Sequence, residues 1–222
     1  MMKPAVLLAP LLAATVSILI GAEFAGKRRL VYLFKPLSTL LVIAVAALAL
    51  RESAQNPTYT AGVLVGLVLS LGGDVALMFQ ENRKAFLAGL VLFLLAHIAY
   101  TVVFTVLGRS SVWDILSAAV LAAAGVGFYR LIGPGLGAMR GPVLVYMLVI
   151  SLMVNRAVST LASPVFGTAQ GAMAASGAVL FYISDVLLAA NKFWKPWPYH
   201  RVSLAFYYAG QFLIALAASY FP

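Results

Sequence analysis

Apolar runs of about twenty residues recur along the chain and are separated by short polar breaks. At a rise of about 1.5 Å per residue, a helix of that length crosses the apolar core of a bilayer. The pattern predicts eight membrane-spanning helices, at residues 4–22, 31–50, 59–79, 85–107, 112–131, 141–161, 166–190 and 200–221. Because the breaks are too short to hold a soluble domain, residues 1–222 are predicted to form a single transmembrane domain.

The composition is typical of an all-α polytopic membrane protein. Of the 222 residues, 64% are hydrophobic and 9% are charged, and the mean hydropathy is +1.02. A soluble domain is about half apolar and about a quarter charged. In this setting the net charge of +9 indicates loops that face an anionic leaflet, and we expect no nucleic-acid partner. The lack of cysteine excludes disulfides, a thiol nucleophile and a thiolate metal site.

Lysine and arginine are unevenly distributed between the two sides of the predicted bundle. Lys3, Arg51 and Arg109 lie in loops on one side. The loops on the other side carry Lys27, Arg28, Arg29, Arg83, Lys84, Arg130, Arg140, Lys192, Lys195 and Arg201. The richer side is predicted to be cytoplasmic. Because eight is an even number of spans, both termini are then predicted to lie outside, and we expect the inner (cell) membrane of a bacterium.

Two carboxylates lie inside predicted spans, Asp74 in the third and Asp185 in the seventh. A charge at the centre of such a helix costs about 2.5–3.5 kcal/mol or more, so these residues usually face a cavity and carry a function. Their contexts match, "GDVALM" at 73–78 and "SDVLLA" at 184–189, and half the chain separates them. This suggests a parallel repeat of four helices followed by four. The other acidic residues are predicted to be solvated, in loops or at span ends: Glu23, Glu52, Glu81 and Asp114.

Further polar residues extend this candidate site. Both aspartates lie about 8 Å inside the predicted cytoplasmic boundary, and Lys35 lies about 6 Å inside it. Ser70 shares the face of Asp74, and Ser184 precedes Asp185. One site at one depth is the sharper interpretation, and separate snorkelling groups or a structural Lys–Asp pair are the alternative.

His97 and Tyr100 share one face of the fourth predicted span. They lie deeper, about 18 Å from the cytoplasmic end of that span. A hydrogen-bonded core residue is the alternative for His97. Arg156 can snorkel from the outer end of the sixth span, and the sequence leaves the role of Gln211 open.

The ordered set of motifs resembles the YhhN/TMEM86 family of lysoplasmalogenases. The segments are "KPLSTLL" (35–41), "SLGGDVALMF" (70–79), "FLAGLVLFLLAHIAY" (86–100), "YMLVISLM" (146–153), "GAVLFYISDVLLAANKF" (177–193) and "YYAGQFLIA" (207–215). The resemblance implies eight spans and a hydrolase that cleaves the vinyl ether bond of lysoplasmalogens. It also implies that Asp74 and Asp185 match the family's proposed catalytic residues.

The chemistry of a vinyl ether explains why two carboxylates suit this reaction. The bond is inert to base and labile to acid, because protonation of the carbon distal to oxygen gives an oxocarbenium ion that water attacks. The resulting hemiacetal collapses to a fatty aldehyde and a glycerophospho-alcohol. One proton donor and one group that activates water are needed, as in glycoside hydrolysis. A buried pair of aspartates that titrates as a unit supplies both, with no metal or other cofactor.

A lysophospholipid substrate fits the expected depth of the aspartates, since its reactive bond lies just below the headgroup. Its chain is expected to lie along apolar walls from the third, fourth and seventh spans, among membrane lipids. Lys35, Lys192 or Arg201 is expected to meet its phosphate. The predicted substrate-binding residues are Lys35, Ser70, His97, Tyr100, Ser184 and Lys192.

Three other functions compete with this hypothesis. A proton-coupled transporter of a small molecule or lipid uses similar intramembrane carboxylates and internal repeats, although transporter repeats are often inverted. An intramembrane aspartyl protease is disfavoured, because Leu71 and Ser184 break the Gly-x-Gly-Asp pattern. A lipid-binding or scaffold protein with structural aspartates is the third.

Overall fold

The computed structural model describes residues 3–52 and 55–221, and the regular elements in these two ranges are helices. The α-helices are α1 (Ala9–Phe24), α2 (Arg28–Leu48), α3 (Pro57–Leu77), α4 (Arg83–Leu107), α5 (Val112–Leu136), α6 (Arg140–Ser159), α7 (Thr168–Phe193) and α8 (Ser203–Ala217). Short 3-10 turns extend several of these helices, such as Pro4–Leu8 before α1 and Thr160–Ala162 after α6.

Local sequence signals set the ends of several helices. The side chain of Asn56 accepts a hydrogen bond from the Tyr59 amide at the start of α3. Asn82 does the same for the amides of Lys84 and Ala85 at the start of α4. These caps satisfy amides that have no partner within the helix. Between α1 and α2, Gly26 adopts φ 64°, a conformation that glycine adopts without strain. Most consecutive helices pack on each other across these short connections, but α4 packs on α6 rather than extensively on α5.

Small residues bring the helices that carry the candidate site into close contact. The α3–α4 and α7–α8 pairs pack most extensively, and α4 also packs on α6 while α2 packs on α8. At the α7–α8 contact, a Cβ atom added to Gly177 would lie 2.7 Å from the carbonyl oxygen of Gly210. The two backbones therefore approach as closely as only glycine allows. This contact fixes α8 beside α7, the helix that carries Asp185.

The prediction of a helical, multi-pass membrane protein is confirmed. Within the described residues, seven segments are long and apolar enough to cross a membrane. These are Pro4–Phe24, Arg28–Arg51, Pro57–Leu77, Arg83–Leu107, Val112–Ala162, Thr168–Phe193 and His200–Tyr220. The fifth has 51 residues and contains both α5 and α6. The count of eight spans and the four-plus-four repeat therefore stay predictions.

The helix boundaries shift the depth expected for each aspartate. Helix α3 ends at Leu77, so Asp74 lies about 5 Å from its end rather than 8 Å. Helix α7 continues to Phe193, so Asp185 lies about 12 Å from its end. Helix α5 likewise passes through Pro134 and ends at Leu136, beyond the expected end at 131, before Gly137 with φ 49°. Hydropathy located the helices but not the residues at which they stop.

One hydrophobic core connects most of the bundle. Its buried members come from every α-helix except α5, which contributes only the partly buried Leu121 to it. Buried α5 residues Ile132 and Leu136 pack with Val143 of α6 in a small separate cluster. Most of α5 is exposed, so α5 lies at the edge of the bundle. The single-domain prediction stays a prediction.

Candidate active site

Both intramembrane aspartates line one cavity of about 110 Å³. Its walls come from α2, α3, α4, α5, α6, α7 and α8 and are mainly apolar. The polar residues in the wall are Lys35, Asp74, Gln80, Tyr146, Tyr182, Ser184, Asp185, Lys192, Arg201, Ser203 and Tyr207. The cavity lies toward the end of the bundle at which α2 and α8 begin and α3 and α7 end. The expectation that the two distant aspartates share one site is consistent with this placement.

Asp74 is 2% exposed and is surrounded by donors. Thr39 and Tyr207 donate hydrogen bonds from their hydroxyl groups to its Oδ2 atom, at 2.6 Å and 2.7 Å. The Lys35 ammonium nitrogen lies 3.6 Å from Oδ1. Tyr208 donates a 2.9 Å hydrogen bond to the Lys35 carbonyl and so ties α8 to this part of α2. Two hydroxyl donors and one cation form a setting that suits an ionised carboxylate.

Asp185 has a different set of neighbours. The Tyr146 hydroxyl donates a hydrogen bond to its Oδ2 atom. The Nε2 atom of His97 lies 3.9 Å from the same oxygen, too far for a hydrogen bond. His97 is completely buried, and both its ring nitrogens lack a hydrogen-bond partner within residues 3–52 and 55–221. The basic group near Asp185 is thus the imidazole of His97, whereas the basic group near Asp74 is the ammonium group of Lys35.

Aromatic rings join the surroundings of the two aspartates. The Phe181 ring centroid lies 4.7 Å from that of His97 and 5.1 Å from that of Tyr207. Phe93 contacts Phe181 edge-on at 6.1 Å and Tyr207 at 5.8 Å. Phe93 and Tyr207 also line the cavity. The electron-rich faces of such rings attract cations, so this wall suits a reaction that develops positive charge.

The six residues predicted to bind substrate fall into two groups. Lys35, Ser184 and Lys192 line the cavity. Ser70, His97 and Tyr100 lie behind its wall and are completely buried.

Gln211 connects the buried residues behind the wall. Tyr100 donates a 2.7 Å hydrogen bond to its Oε1 atom, and its Nε2 atom donates at 3.0 Å to Ser70. This gives Gln211 a role that the sequence left open. His97 lies beside Asp185, with its Nε2 atom 3.9 Å from the carboxylate, although its helix position suggested a deeper layer.

Sequence reasoning missed three residues that hydrogen-bond directly to the aspartates: Thr39, Tyr146 and Tyr207. All are neutral residue types that occur often in membrane helices, so none carries a compositional signal. A positional signal exists for Tyr146. It lies 39 positions before Asp185, just as Lys35 lies 39 positions before Asp74, so each aspartate contacts the residue at the same distance before it in the chain.

The prediction that the remaining acids are solvated is wrong for the buried Asp114, and the partly buried Glu23 and Glu52 each pair with a cation. Asp114 is 7% exposed, and its Oδ1 atom lies 2.9 Å from Nη2 of Arg156. Arg156 is therefore paired within the bundle. The Glu23 carboxylate lies 3.2 Å from Nε of Arg201. In the Asp114 and Glu23 pairs, the carboxylate at the end of a span is paired with an arginine from another helix or segment. The positions of the span ends in the sequence did not indicate these arginine partners.

Charged groups elsewhere do not add a metal site to this arrangement. Within the part of the chain that the structure describes, no three His, Asp or Glu side chains are grouped as metal ligands. The cavity instead offers two carboxylates in unequal surroundings, three cations and an aromatic wall. Such a set can donate a proton, accept a proton and stabilise a cationic intermediate.

Comparisons with known proteins agree with the resemblance seen in the motifs. "Lysoplasmalogenase TMEM86A" of Homo sapiens is 36% identical over 159 residues, which are 70% of this chain and 64% of that protein. "Lysoplasmalogenase TMEM86B" of Homo sapiens is 34% identical over 161 residues, or 72% of this chain and 64% of that protein. The chain thus covers slightly less than two thirds of the length of these human relatives. "Lysoplasmalogenase TMEM86B" of Sus scrofa is 33% identical over 179 residues, 78% of this chain and 70% of that protein.

No solved structure matches the chain. A family model described as the YhhN family matches residues 30–218, which include both aspartates and every helix from α3 to α8. This chain belongs to the YhhN family.

Proposed function

We propose that this protein is a membrane-embedded lysoplasmalogenase-type hydrolase that cleaves the vinyl ether bond of lysoplasmenyl-ethanolamine or lysoplasmenyl-choline. The observation that carries the proposal is the pair of unequally surrounded aspartates in one cavity. The names of the human relatives support the substrate class. The products are a fatty aldehyde and a glycerophospho-alcohol. Those names do not favour the transporter alternative.

The surroundings of the aspartates suggest how the two roles are divided. Asp74 accepts two hydroxyl hydrogen bonds and faces Lys35, so it is suited to be the ionised base. Asp185 accepts one hydroxyl hydrogen bond and has no lysine or arginine partner within 4 Å in residues 3–52 and 55–221, so it is suited to hold the proton. Asp185 is therefore the proposed general acid and Asp74 the proposed general base. Lys35 then acts on Asp74 rather than on the substrate.

In the first step, Asp185 transfers its proton to the vinyl carbon distal to oxygen. The C=C π electrons form the new C–H bond, and oxygen donates a lone pair to give the oxocarbenium ion. The aromatic wall and the Asp74 carboxylate stabilise this positive charge. Water then attacks the carbon that bears oxygen, and Asp74 accepts the proton that the water releases.

In the second step, the hemiacetal collapses. Its hydroxyl proton passes to the Asp185 carboxylate, the C=O bond of the aldehyde forms, and the C–O bond to glycerol breaks. Asp74 returns its proton to the departing glycerol oxygen. Both aspartates recover their starting states, so one water is consumed and no net proton is exchanged with the membrane or with solvent.

Lys192 is the cation best placed to bind the substrate phosphate. Lys35 and Arg201 also line the cavity, but each lies within 4 Å of a carboxylate, Asp74 and Glu23. The Lys192 ammonium group instead lies over the Phe86 ring, 4.1 Å from its centroid. It lies about 10 Å further along α7 than Asp185, toward the end of the helix. This spacing suits a phosphate that is held just above the reactive bond.

The proposal includes a membrane arrangement. Helices α5 and α6 have 25 and 20 residues and pack on each other, so each is long enough for its own crossing. Eight crossings result, and both termini lie on the outer face of a bacterial inner membrane with the basic loops inside. The cavity then opens toward the cytoplasmic leaflet.

A parallel repeat accounts for the pairing of the aspartates. Tyr100 and Gln211 bond to each other across 111 residues. The same separation relates Asp74 to Asp185 and Lys35 to Tyr146. A bond between equivalent residues is expected next to a two-fold axis that relates the halves. The packing of α4 on α6 and of α2 on α8 obeys the same relation.

The direct test follows fatty aldehyde release from lysoplasmenyl-ethanolamine in detergent. Wild type, Asp74→Asn and Asp185→Asn are compared with Glu81→Gln, which removes an exposed carboxylate outside the cavity. We expect both aspartate variants to lose activity by about 10²–10⁴-fold and Glu81→Gln to match wild type. Thermal unfolding checks that all variants fold. Equal turnover in the aspartate variants would contradict the catalytic roles, and no aldehyde from folded wild type would contradict the proposed reaction.

A further inference from the structure

A second cavity of about 660 Å³ runs between α5 and α6. Its walls are mainly apolar and include small residues on α5, among them Ala118, Ala122 and Gly125. Leu148 and Leu152 line it from α6. Most of α5 is exposed, so the groove lies at the edge of the bundle. We call it the α5–α6 groove.

The α5–α6 groove adjoins the cavity that contains the aspartates. Met147 of α6 lines both. Its chain neighbour Tyr146 donates the hydrogen bond to Asp185. A methionine side chain is unbranched and adapts to its surroundings, so the wall between the two cavities is both thin and deformable. The groove therefore starts beside the proposed general acid.

The sizes of the two cavities suit different parts of a single-chain lipid. The aspartate cavity, at about 110 Å³, has room for only a few water molecules and hence for a reactive bond and its flanking atoms. It has no room for a long hydrocarbon tail. The α5–α6 groove is six times larger and extends about 18 Å along α5 between Ala118 and Arg130. This is an elongated volume of the kind that an alkyl chain fills.

The direction of the groove agrees with the polarity of such a lipid. From Met147 it passes Ser151 and reaches Asn155, about 12 Å further along α6. Helix α7 runs antiparallel to α6, and Lys192 lies in the opposite direction from Asp185, near the end of α7. A lipid with its phosphate at Lys192 and its vinyl ether at Asp185 would therefore extend its chain toward Met147 and the groove.

We infer that the α5–α6 groove binds the alkenyl chain of the substrate and that its length limits the chain lengths that the enzyme accepts. The inference rests on the proposed function for the identity of the lipid. The shared Met147 wall, the larger apolar volume and the opposed position of Lys192 support it. The side chains of Ala122 and Leu152, and the lack of a side chain at Gly125, then set the space for the end of the chain.

Activity against a series of chain lengths tests the inference. Ala122→Phe fills the groove, whereas Ala123→Phe adds the same ring to an exposed neighbouring position that does not line it. We expect Ala122→Phe to lower kcat/KM for long alkenyl chains at least about 10-fold and to leave short chains near wild type. Ala123→Phe should keep the wild-type chain-length profile. Identical profiles for the two variants would overturn the inference.

A second measurement separates this inference from the proposed reaction. The probe is a lysophospholipid whose chain is joined by a saturated alkyl ether and ends in a diazirine. It lacks the vinyl C=C bond that the proposed reaction protonates, so it is not hydrolysed, and its diazirine reports where the chain lies. We expect photolysis to label groove residues such as Leu121, Ala122 and Leu152, and excess unlabelled lysophospholipid to suppress this labelling. Labelling confined to other helices, or labelling that lysophospholipid does not suppress, would overturn the inference. Suppressible groove labelling in a protein that releases no aldehyde would support the chain site and contradict the proposed reaction.

Discussion

The surroundings of Asp74 and Asp185 differ clearly at the residue that lies 39 positions before each aspartate. The residue that lies 39 positions before Asp185, Tyr146, offers a hydroxyl group to that carboxylate. The residue at the same distance before Asp74, Lys35, offers an ammonium group. A cation favours an ionised carboxylate, whereas a neutral hydroxyl also suits a carboxylic acid. The exchange of lysine for tyrosine at this position is therefore one of the differences that separate the proposed roles of the two aspartates.

The contacts from the opposite half strengthen this difference. Asp74 receives the Tyr207 hydroxyl from α8, whereas Asp185 faces the His97 imidazole from α4 at a distance beyond a hydrogen bond. A perfectly symmetric pair would give each carboxylate the same proton affinity, and neither would be assigned to one task. Acid–base catalysis by a carboxylate pair depends on unequal environments. The proposed mechanism therefore depends on the difference between the neighbours of the two aspartates.

Making the two sites alike is expected to have the largest effect. Tyr146→Lys would give Asp185 a cation, as Lys35 does for Asp74, and so favour its ionised form. We expect aldehyde release to fall by about 10²–10⁴-fold, the usual contribution of a general acid. Tyr146→Phe, which removes the hydroxyl without adding charge, should lose much less. If Tyr146→Lys folds and keeps wild-type turnover, the assignment of Asp185 as the acid is wrong.

Removing the cation from the other site is expected to have the next largest effect. Lys35→Met leaves Asp74 buried without its charged partner, so the proposed base loses its ionised form. We expect kcat to fall by about 100-fold with little change in KM. Lys35→Arg keeps the charge and should recover part of the loss. A rise in KM with unchanged kcat would instead assign Lys35 to the substrate phosphate.

The sequence predicted the charged part of this site better than its neutral part. Asp74, Asp185 and Lys35 stand out because charges are rare in apolar helices. Thr39 and Tyr207 do not, because hydroxyl and aromatic side chains are common there, and only the packing of α8 against α2 and α3 brings them to Asp74. The ion pair of Glu23 was missed for a related reason. Its cation comes from a distant segment of the chain, which a linear pattern does not locate.

The sequence also predicted one part of the fold, the helices, better than another part, the pairing of those helices. Hydropathy predicts helices, because a chain inside a bilayer must satisfy its own backbone hydrogen bonds. Helix pairing depends instead on shape. The close approach of Gly177 to Gly210 fixes α8 on α7, but glycines also occur where they contact nothing, as at Gly125 and Gly127. The sequence alone does not distinguish these two uses.

Phosphate binding is expected to depend on Lys192, the cavity lysine that is not beside an aspartate. Lys192→Gln should raise KM about 10-fold at constant kcat, since a hydrogen bond to a charged group contributes about 1.5–3 kcal/mol. Lys195→Gln is the matched control, because Lys195 lies nearby in the chain but outside the cavity wall. Steady-state kinetics at several lysoplasmenyl-ethanolamine concentrations separate KM from kcat. A similar KM for both variants would contradict phosphate binding by Lys192.

The smallest effect on activity is expected from substitution of Gly66 and Gly177, two glycines that lie 111 residues apart. A Cβ atom on Gly177 would meet the backbone oxygen of Gly210 at 2.7 Å, whereas one on Gly66 would meet the Tyr100 ring. A side chain can rotate away more easily than a backbone can move, although Tyr100 must then give up its bond to Gln211. We expect Gly177→Ala to destabilise the fold by about 1–3 kcal/mol, and Gly66→Ala by less. Gly127→Ala, with no atom within 4 Å of the added carbon, controls for helix propensity. Thermal unfolding in detergent ranks the three variants, and a lower unfolding temperature for Gly66→Ala than for Gly177→Ala would show that the polar contact between the halves matters more than the packing of α7 on α8.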